Sequence, residues 1–431
     1  RGKVLVPRLT VYPSYIRKTG WITQALRPQV LELSDAEGMA REDNWRAGLS
    51  EEPVSSSGKD SRVKASPAIA HLVDACLNDE DIEECDLIQL FSARGRDYLA
   101  VCEAADILRK RHVGENVTYV INRNINYTNI CRYSCHFCAF SKRSGALFPE
   151  QIPYDIQGSE LRRRVEEAWN LGATEVCLQG GIHPDYTGET YLDIVSTVKA
   201  AAPDIHIHAF SPLEIHYGAA TLETPLDEYL ILLKNAGLSS LPGTAAEVLD
   251  DSVRKIICPD KLSSSHWLEI MEAAHSIGLR STATIMFGHV DHPMSWARHW
   301  RSIIDLQRRS GGFTECVALP FVSEGAPIYL RGNARPGPSW REAKLMHAVL
   351  RLVVGRYIPN IQGSWVKLGR QGALDILSAG ANDLGGTLIN ESITRAAGAA
   401  HGQAWSPTDM VAAIESIGRT PQQRMTDYSC I

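Results

Sequence analysis

Cysteine is scarce in this chain, and so are the features that mark secreted, membrane-spanning or nucleic-acid-binding proteins. Ten cysteines among 431 residues are too few for a disulfide scaffold. Seven of them, Cys76, Cys85, Cys102, Cys177, Cys258, Cys316 and Cys430, stand alone in sequence, which fits the cytoplasm or another reducing compartment. No apolar run approaches the roughly 20 residues needed to cross a bilayer, so no membrane partner is expected. A net charge of -6 gives no electrostatic reason to expect nucleic acid as a partner. Arg1-Gly2-Lys3-Val4 has neither an initiator Met nor the apolar core of a signal peptide, so the chain reads as a piece of something longer. Cys430 is second from the end, whereas a prenylation box needs the fourth position. No G-x-G-x-x-G comes after the first strand-like run, which leaves a Rossmann site without support.

Apolar residues at 44% and charged residues at 22% match ordinary globular composition, and a sizeable core is available. The length fits one large unit with appendages, since α/β barrels of about 250 residues form single domains. Residues 1–49 contain no complete folding unit and read as the tail of a preceding module. Residues 50–66, rich in Ser and charge, have linker composition. Residues 67–116 are patterned as a small helical subdomain, with Ile69, Leu72, Val73 and Cys76 on one face and Ala100, Val101, Ala104, Ala105 and Leu108 on another; its expected role is to close one end of the large domain after it.

From residue 117 to 431 short β-branched runs alternate with amphipathic helices. Strands are predicted at 117–121, 175–179, 205–210, 238–241, 282–287, 315–321 and 361–366, with an eighth near 379–382. Helices are predicted at 160–171, 191–201, 226–235, 264–277, 296–309 and 340–357. Gly172, Gly237, Gly278 and Gly312 stop helices shortly before strands begin. Such alternation predicts βαβ units and a parallel sheet, here a (β/α) barrel in preference to a doubly wound sheet. The helix after Pro407 and the polar tail beyond Pro421 are expected outside the barrel, and Trp365 on a strand near its interior.

The informative cysteines are Cys131, Cys135 and Cys138, spaced CxxxCxxC directly after the first strand. Three thiolates can hold three irons of a 4Fe-4S cluster and leave the fourth iron open to a small molecule. Structural zinc would want a fourth ligand, for which only His136 is near, and an electron-transfer ferredoxin would want a fourth thiolate. A non-catalytic metal or iron-sulfur electron-transfer module therefore stands as an alternative to a catalytic cluster at a barrel mouth.

The spacing, with Phe137 before the last cysteine and Gln179-Gly180-Gly181 ending the second strand, resembles the radical S-adenosylmethionine enzymes. The blocks NRNINYTNICRYSCHFCAFS at 122–141, LQGGIHP at 178–184, LPGTAAEVL at 241–249, TIMFGHVD at 284–291 and NDLGGTLINESI at 382–393 are similar to the tyrosine-using component of the FO synthase family. PRLTVYP at 7–13 and the REDNW beyond it resemble the end of that family's other component, a cyclising lyase, so an upstream lyase half, fused to this one, is expected. A radical S-adenosylmethionine enzyme of the futalosine route to menaquinone is the alternative within enzymes.

The resemblance implies a radical transferase with two cofactors, a 4Fe-4S cluster and S-adenosyl-L-methionine, and an electron donor such as ferredoxin or flavodoxin. Its substrates would be L-tyrosine and 5-amino-6-(D-ribitylamino)uracil: a hydrogen leaves the tyrosine amino group, the side chain parts from the α-carbon, and the 4-hydroxybenzyl fragment joins the uracil ring. Cys131, Cys135 and Cys138 are the expected cluster ligands. Phe137, Gln179, Gly180, Gly181, Ser211 and Glu214 are expected to line the cofactor, the glycines by letting backbone approach it. Asn122, Asn124 and Asn126 alternate on one face of the first strand and are expected to bind uracil or ribityl groups, with Asn382 and Asp383 as further substrate contacts. His183, Glu247 and His289, at strand ends, are the candidates for binding tyrosine's polar groups or moving protons.

Overall fold

The structure is a computed structural model, and it describes residues 23–49, 53, 64–141, 152–156 and 158–429. The residues from 7 to 13 that carry part of the lyase resemblance, most of the 50–66 linker and Cys430 lie outside the described residues. Its strands are β1 (Asn116–Val120), β2 (Asn122–Asn126), β3 (Glu175–Gln179), β4 (His206–Ala209), β5 (Ser240–Leu241), β6 (Arg280–Phe287), β7 (Phe313–Pro320), β8 (Asn360–Gly363), β9 (Asp383–Gly386) and β10 (Thr420–Gln423).

They form one parallel sheet in the order β10-β1-β9-β8-β7-β6-β5-β4-β3-β2. β1 and β2 are successive halves of one extended run, broken at Ile121. On one side of that run the Val120 carbonyl accepts from Thr387 N–H at 3.0 Å; on the other the Ile121 carbonyl accepts from Thr174 N–H at 2.9 Å. The ends of the strand order meet through this run, and the sheet closes into the expected barrel.

Local chemistry explains the alternation. Ser211, Ser263 and Ser339 accept from the first-turn N–H groups of the helices Pro212–Thr221, Ser264–Ser276 and Trp340–Val353. At the other ends Gly172, Gly237 and Gly278 take left-handed backbone, which a Cβ would disfavour. After the helix Pro293–Ser310 the left-handed residue is Gly311, not the expected Gly312. Gly312 is small for another reason: a Cβ there would strike the His275 ring.

Register sorts the strand residues onto two faces. The pairings Asn122 with Glu175, Cys177 with His208, Thr282 with Glu315, and Gln362 with Asp383 put polar side chains in register around one wall of the barrel. Ile125, Val176, Leu178, Ile207, Ile285, Phe287, Ala318 and Ile361 occupy the other face and are buried in the core shared with the helices. The apolar core is therefore the layer between strands and helices, and the barrel interior is polar. Such groups must be hydrogen-bonded within the protein or by a ligand.

The tail overturns its expected place outside the barrel. β10 pairs with β1, and Arg424, Thr426 and Tyr428 reach the N-terminal ends of the strands. Arg424 Nε donates to Asp383 Oδ2 at 2.6 Å and its Nη2 to Glu315 Oε2 at 3.2 Å. Thr426 Oγ1 donates to Glu175 Oε2 at 2.5 Å, and the Tyr428 hydroxyl donates to Glu315. Buried strand-end carboxylates attract the tail, since without those donors they would be desolvated and unpaired. That end is thus filled by the tail. The helices Pro67–Leu77, Glu84–Phe91 and Arg96–Val113, expected to close an end, pack laterally against Pro293–Ser310 and Trp340–Val353 instead.

Of two further features, only the place of Trp365 departs from expectation. Residues 23–49 dock on this barrel: Ala36 N–H donates to Glu342 at 2.7 Å, Trp340 N–H to Asp43 at 3.0 Å, and Trp45 packs edge-on against Trp340. Trp365 lies on a short helix, Trp365–Leu368, where it donates to the Gly386 carbonyl at 2.9 Å. β8 ends at Gly363 because Ser364 turns the chain into that helix.

Candidate active site

The cluster motif sits on the loop that leaves β2 at the C-terminal mouth of the barrel, and neighbours fasten it through its backbone. Gly181 N–H donates to the Thr128 carbonyl at 2.8 Å and Arg132 N–H to the Ile182 carbonyl at 2.8 Å. Opposite, His136 N–H donates to the Ile257 carbonyl at 2.7 Å, His136 Nδ1 lies 2.7 Å from the Ile256 carbonyl, and Ser134 N–H donates to Asp260 at 2.9 Å. The loop is clamped between the β3 turn and the segment 256–261.

Cys131, Cys135 and Cys138 are half-buried and share no disulfide. Burial pushes the Cys135 and Cys138 thiols up, and the Lys261 charge pulls against it at both. Cys131 Sγ accepts from Ile182 N–H at 3.3 Å, and Cys138 Sγ from Ser141 N–H at 3.4 Å. Backbone donors aimed at sulfur suit thiolates bearing charge. Among the described residues no three His, Cys, Asp or Glu side chains close on a single ion.

The glycine turn has a packing cause. A Cβ on Gly180 would strike the Tyr127 ring, and one on Gly181 the Ile130 carbonyl. Small residues there let the β3 turn lie directly on the cluster loop, a role independent of any approach to the cofactor. Ser211 and Glu214 form a capping box at the mouth. Ser211 N–H donates to Glu214 Oε2 at 2.7 Å, and the Tyr127 hydroxyl donates to the same carboxylate. Burial raises the Glu214 pKa against these bonds. This pair ties β2, the β3 turn and the β4 loop together, and its polar atoms already have protein partners.

Asn122, Asn124 and Asn126 do share the inner face, in register with Glu175, Cys177 and Gln179. Their states differ. Asn122 donates to Glu175 at 2.8 Å and accepts from Leu388 N–H at 2.9 Å. Asn126 donates to the Gln179 carbonyl at 3.3 Å and accepts from Ser392 at 2.6 Å. Asn124 Oδ1 is buried and meets no donor among the described residues. Of the three, Asn124 alone has a side-chain oxygen without a donor among the described residues.

Asn382 and Asp383 belong to the opposite end, because β9 runs from them toward the mouth. Asn382 Oδ1 accepts from Arg351 at 2.7 Å and from Ile361 N–H at 2.9 Å, and Asp383 is held by Arg424. Both are taken up by protein partners at that end. His289 is fully buried, with Nδ1 accepting from Val290 N–H at 2.7 Å and Nε2 lying 3.0 Å from the Met286 carbonyl. Burial lowers its pKa, and both ring nitrogens are engaged by backbone groups, which makes it a loop lock. His183 stacks on Tyr186 with ring centroids 4.8 Å apart, beside a cleft of about 360 Å³ that Leu161 and Ile194 of two outer helices also line. It stands outside the strand ring.

Glu247 is at the mouth, with backbone in the left-handed region at φ 48°. Its Oε1 accepts from Lys261 Nζ at 2.8 Å, and that ammonium lies 5.3 Å from the centroid of the Phe137 ring. Phe137 therefore packs against a half-buried cation. Neither Lys261 nor Lys367, the latter donating to Thr394 Oγ1 at 3.1 Å with its pKa lowered by burial, is among the residues that the sequence singles out. The signal for Lys261 is the run Cys258-Pro259-Asp260-Lys261, which has no periodicity and gains meaning only when placed against the cluster loop.

No helix among the described residues is long and apolar enough to cross a membrane. The sequence matches the Radical SAM superfamily over residues 125–298 and the CofH/MqnC C-terminal region over residues 310–431. FO synthase of Streptomyces coelicolor is 41% identical in an alignment that takes in 99% of this chain and 54% of that protein. The chain spans about half the length of the curated FO synthases it matches. The 5-amino-6-(D-ribitylamino)uracil--L-tyrosine 4-hydroxyphenyl transferase of Methanopyrus kandleri is 48% identical over 77% of this chain and 89% of that protein. Among solved structures, methylornithine synthase superposes with a TM-score of 0.62 at 18% identity, covering 81% of this chain and 97% of that one, which is a likeness of fold.

Proposed function

This chain belongs to the radical S-adenosylmethionine superfamily, in the family that holds FO synthase and the Methanopyrus transferase, and we propose that it moves the 4-hydroxybenzyl group of L-tyrosine onto 5-amino-6-(D-ribitylamino)uracil. The observation that carries this reading is the 48% identity to a transferase covered over 89% of its length, with the three cysteines clamped at the barrel mouth. An upstream lyase half would then close the deazaflavin ring, and a ferredoxin- or flavodoxin-type donor would supply the electron.

Cys131, Cys135 and Cys138 would each hold one iron of a 4Fe-4S cluster. The cluster, when bound with S-adenosylmethionine, supplies the reductive cleavage that generates a 5'-deoxyadenosyl radical. The remaining work falls to the chain. The filled N-terminal end and the helix layer keep bulk water from the interior. Asn124 presents an unpartnered acceptor to a uracil or ribityl donor, and Lys367, half-buried at the mouth, is suited to tyrosine's carboxylate. Gln179 ends β3 on the same inner face and frames the space between them.

The test is anaerobic reconstitution, then addition of S-adenosylmethionine, reductant, tyrosine and the diaminouracil. Tyrosine consumption dependent on all of these is expected. Turnover of futalosine-type substrates alone overturns the assignment.

A further inference from the structure

The segment 256–261 touches the cluster loop at more points than holding it requires. Carbonyls of Ile256 and Ile257 bind both nitrogens of His136 used in the clamp, Asp260 binds the Ser134 N–H, and Lys261 is the next residue. Lys261 differs from these in kind. Its Nζ is fixed by Glu247 at 2.8 Å and lies 5.3 Å from the centroid of Phe137, a residue between two of the cluster cysteines. The side chains of Lys261 and Glu247 are only 11% and 13% exposed, so the charge acts through protein and not through water.

The ammonium is the charge set against the cluster loop, 5.3 Å from the ring centroid of the residue that precedes Cys138, and Glu247 is the carboxylate that fixes it there. A cation fixed beside thiolates stabilises the more negative, reduced form of the cluster they hold, and charge and hydrogen bonding near the sulfurs are among the protein's levers on cluster potential. One donor of the Lys261 ammonium is taken by Glu247, and the ammonium faces the Phe137 ring.

We propose that the Lys261 ammonium, oriented by Glu247 over Phe137, is the positioning charge that sets the reduction potential of the cluster held by Cys131, Cys135 and Cys138, and with it the ease of the electron delivery that starts the reaction. This rests on the cluster-ligand reading. Glu247 is then a governor of that charge: it holds the ammonium in place and partly offsets it.

The experiment is a redox titration of the anaerobically reconstituted chain, read by electron paramagnetic resonance of the reduced cluster, with iron and sulfide content measured in parallel. Lys261→Met is expected to lower the ratio of reduced to oxidised cluster about tenfold at the wild-type midpoint, equal to a shift of about 59 mV for one electron. Lys261→Arg keeps a cation and restores most of the shift. Glu247→Gln removes the offsetting charge and moves the midpoint upward. Midpoints of Lys261→Met and Glu247→Gln that equal the wild type, at equal iron content, overturn the proposal. If Lys261→Met assembles no cluster, the sign of the Glu247→Gln shift decides, and an unchanged or lowered midpoint overturns it. A wild-type chain that assembles no 4Fe-4S cluster fails at the prior reading of the cysteines, so the two failures are distinguishable.

Discussion

The two ends of this barrel are built from the same strands and treat polar groups in opposite ways. At the N-terminal end Arg424 pairs with Asp383 and Glu315, Thr426 with Glu175, and Asn382 with Arg351 and the Ile361 N–H, so the buried charges there have been answered from within the chain. At the C-terminal mouth three thiols share no disulfide, Asn124 Oδ1 lacks a donor among the described residues, and Lys261 and Lys367 bring half-buried positive charge. Buried polar atoms left open are costly unless a ligand completes them. One end is a finished structural network; the other, on the function proposed above, takes a ligand.

The contrast breaks most visibly at the cluster. Cys135→Ala is expected to abolish cluster assembly and all tyrosine consumption while circular dichroism stays that of the wild type; normal turnover would refute the ligand assignment. Next in size, Arg424→Met leaves Asp383 and Glu315 buried without their cation and should cost about 3 to 5 kcal/mol of stability. Denaturant titration reads it, and a wild-type midpoint would mean that the tail does not hold that end shut.

Asn382 and Asn124 sharpen the contrast, being the same residue type at opposite ends. Asn382→Ala should cost about 1 to 3 kcal/mol because the Arg351 donor loses its acceptor, with unchanged turnover per folded molecule. Asn124→Ala should leave stability intact and raise the KM for the diaminouracil about tenfold, the loss of about one hydrogen bond. An exchange of those two outcomes would invert the assignment of the ends.

The smallest effect is a pH slope. Burial and the neighbouring Asp383 charge, opposed by Arg424, raise the Glu315 pKa from 4.5 to about 7. A carboxyl raised in the folded state contributes stability that is full below its ordinary value and is lost as pH rises through about 7. Stability measured from pH 4.5 to 7 should therefore fall with pH more steeply in the wild type than in Glu315→Gln, and parallel curves would remove Glu315 as the cause.

Periodicity makes the barrel legible. The strands at 175–179 and 280–287 and the helices between them obey alternation and glycine stops that act over a few residues. The cluster cysteines are legible for the same reason, since their spacing is local. Relations between distant segments are not. Asn382 and Asp383 form a polar, turn-rich stretch that reads like a ligand loop, and only the direction of β9 places them at the wrong end. His289 has the composition of a rim catalyst, yet two backbone contacts use its ring. The tail reads as surface because it is polar, and it is buried because the strand ends it meets are acidic. The short run around Lys261 gains meaning only in the fold, because its partner Glu247 and its neighbour Phe137 come from different loops.

The central claim is that the mouth, and not the sealed end, carries an iron-sulfur cluster with a coordination site open to S-adenosylmethionine. Electron paramagnetic resonance of the anaerobically reconstituted, reduced chain, recorded with and without S-adenosylmethionine, tests it most directly. A 4Fe-4S signal that changes when S-adenosylmethionine is added is the predicted result; a zinc-loaded chain, or a cluster whose signal does not respond, would contradict it.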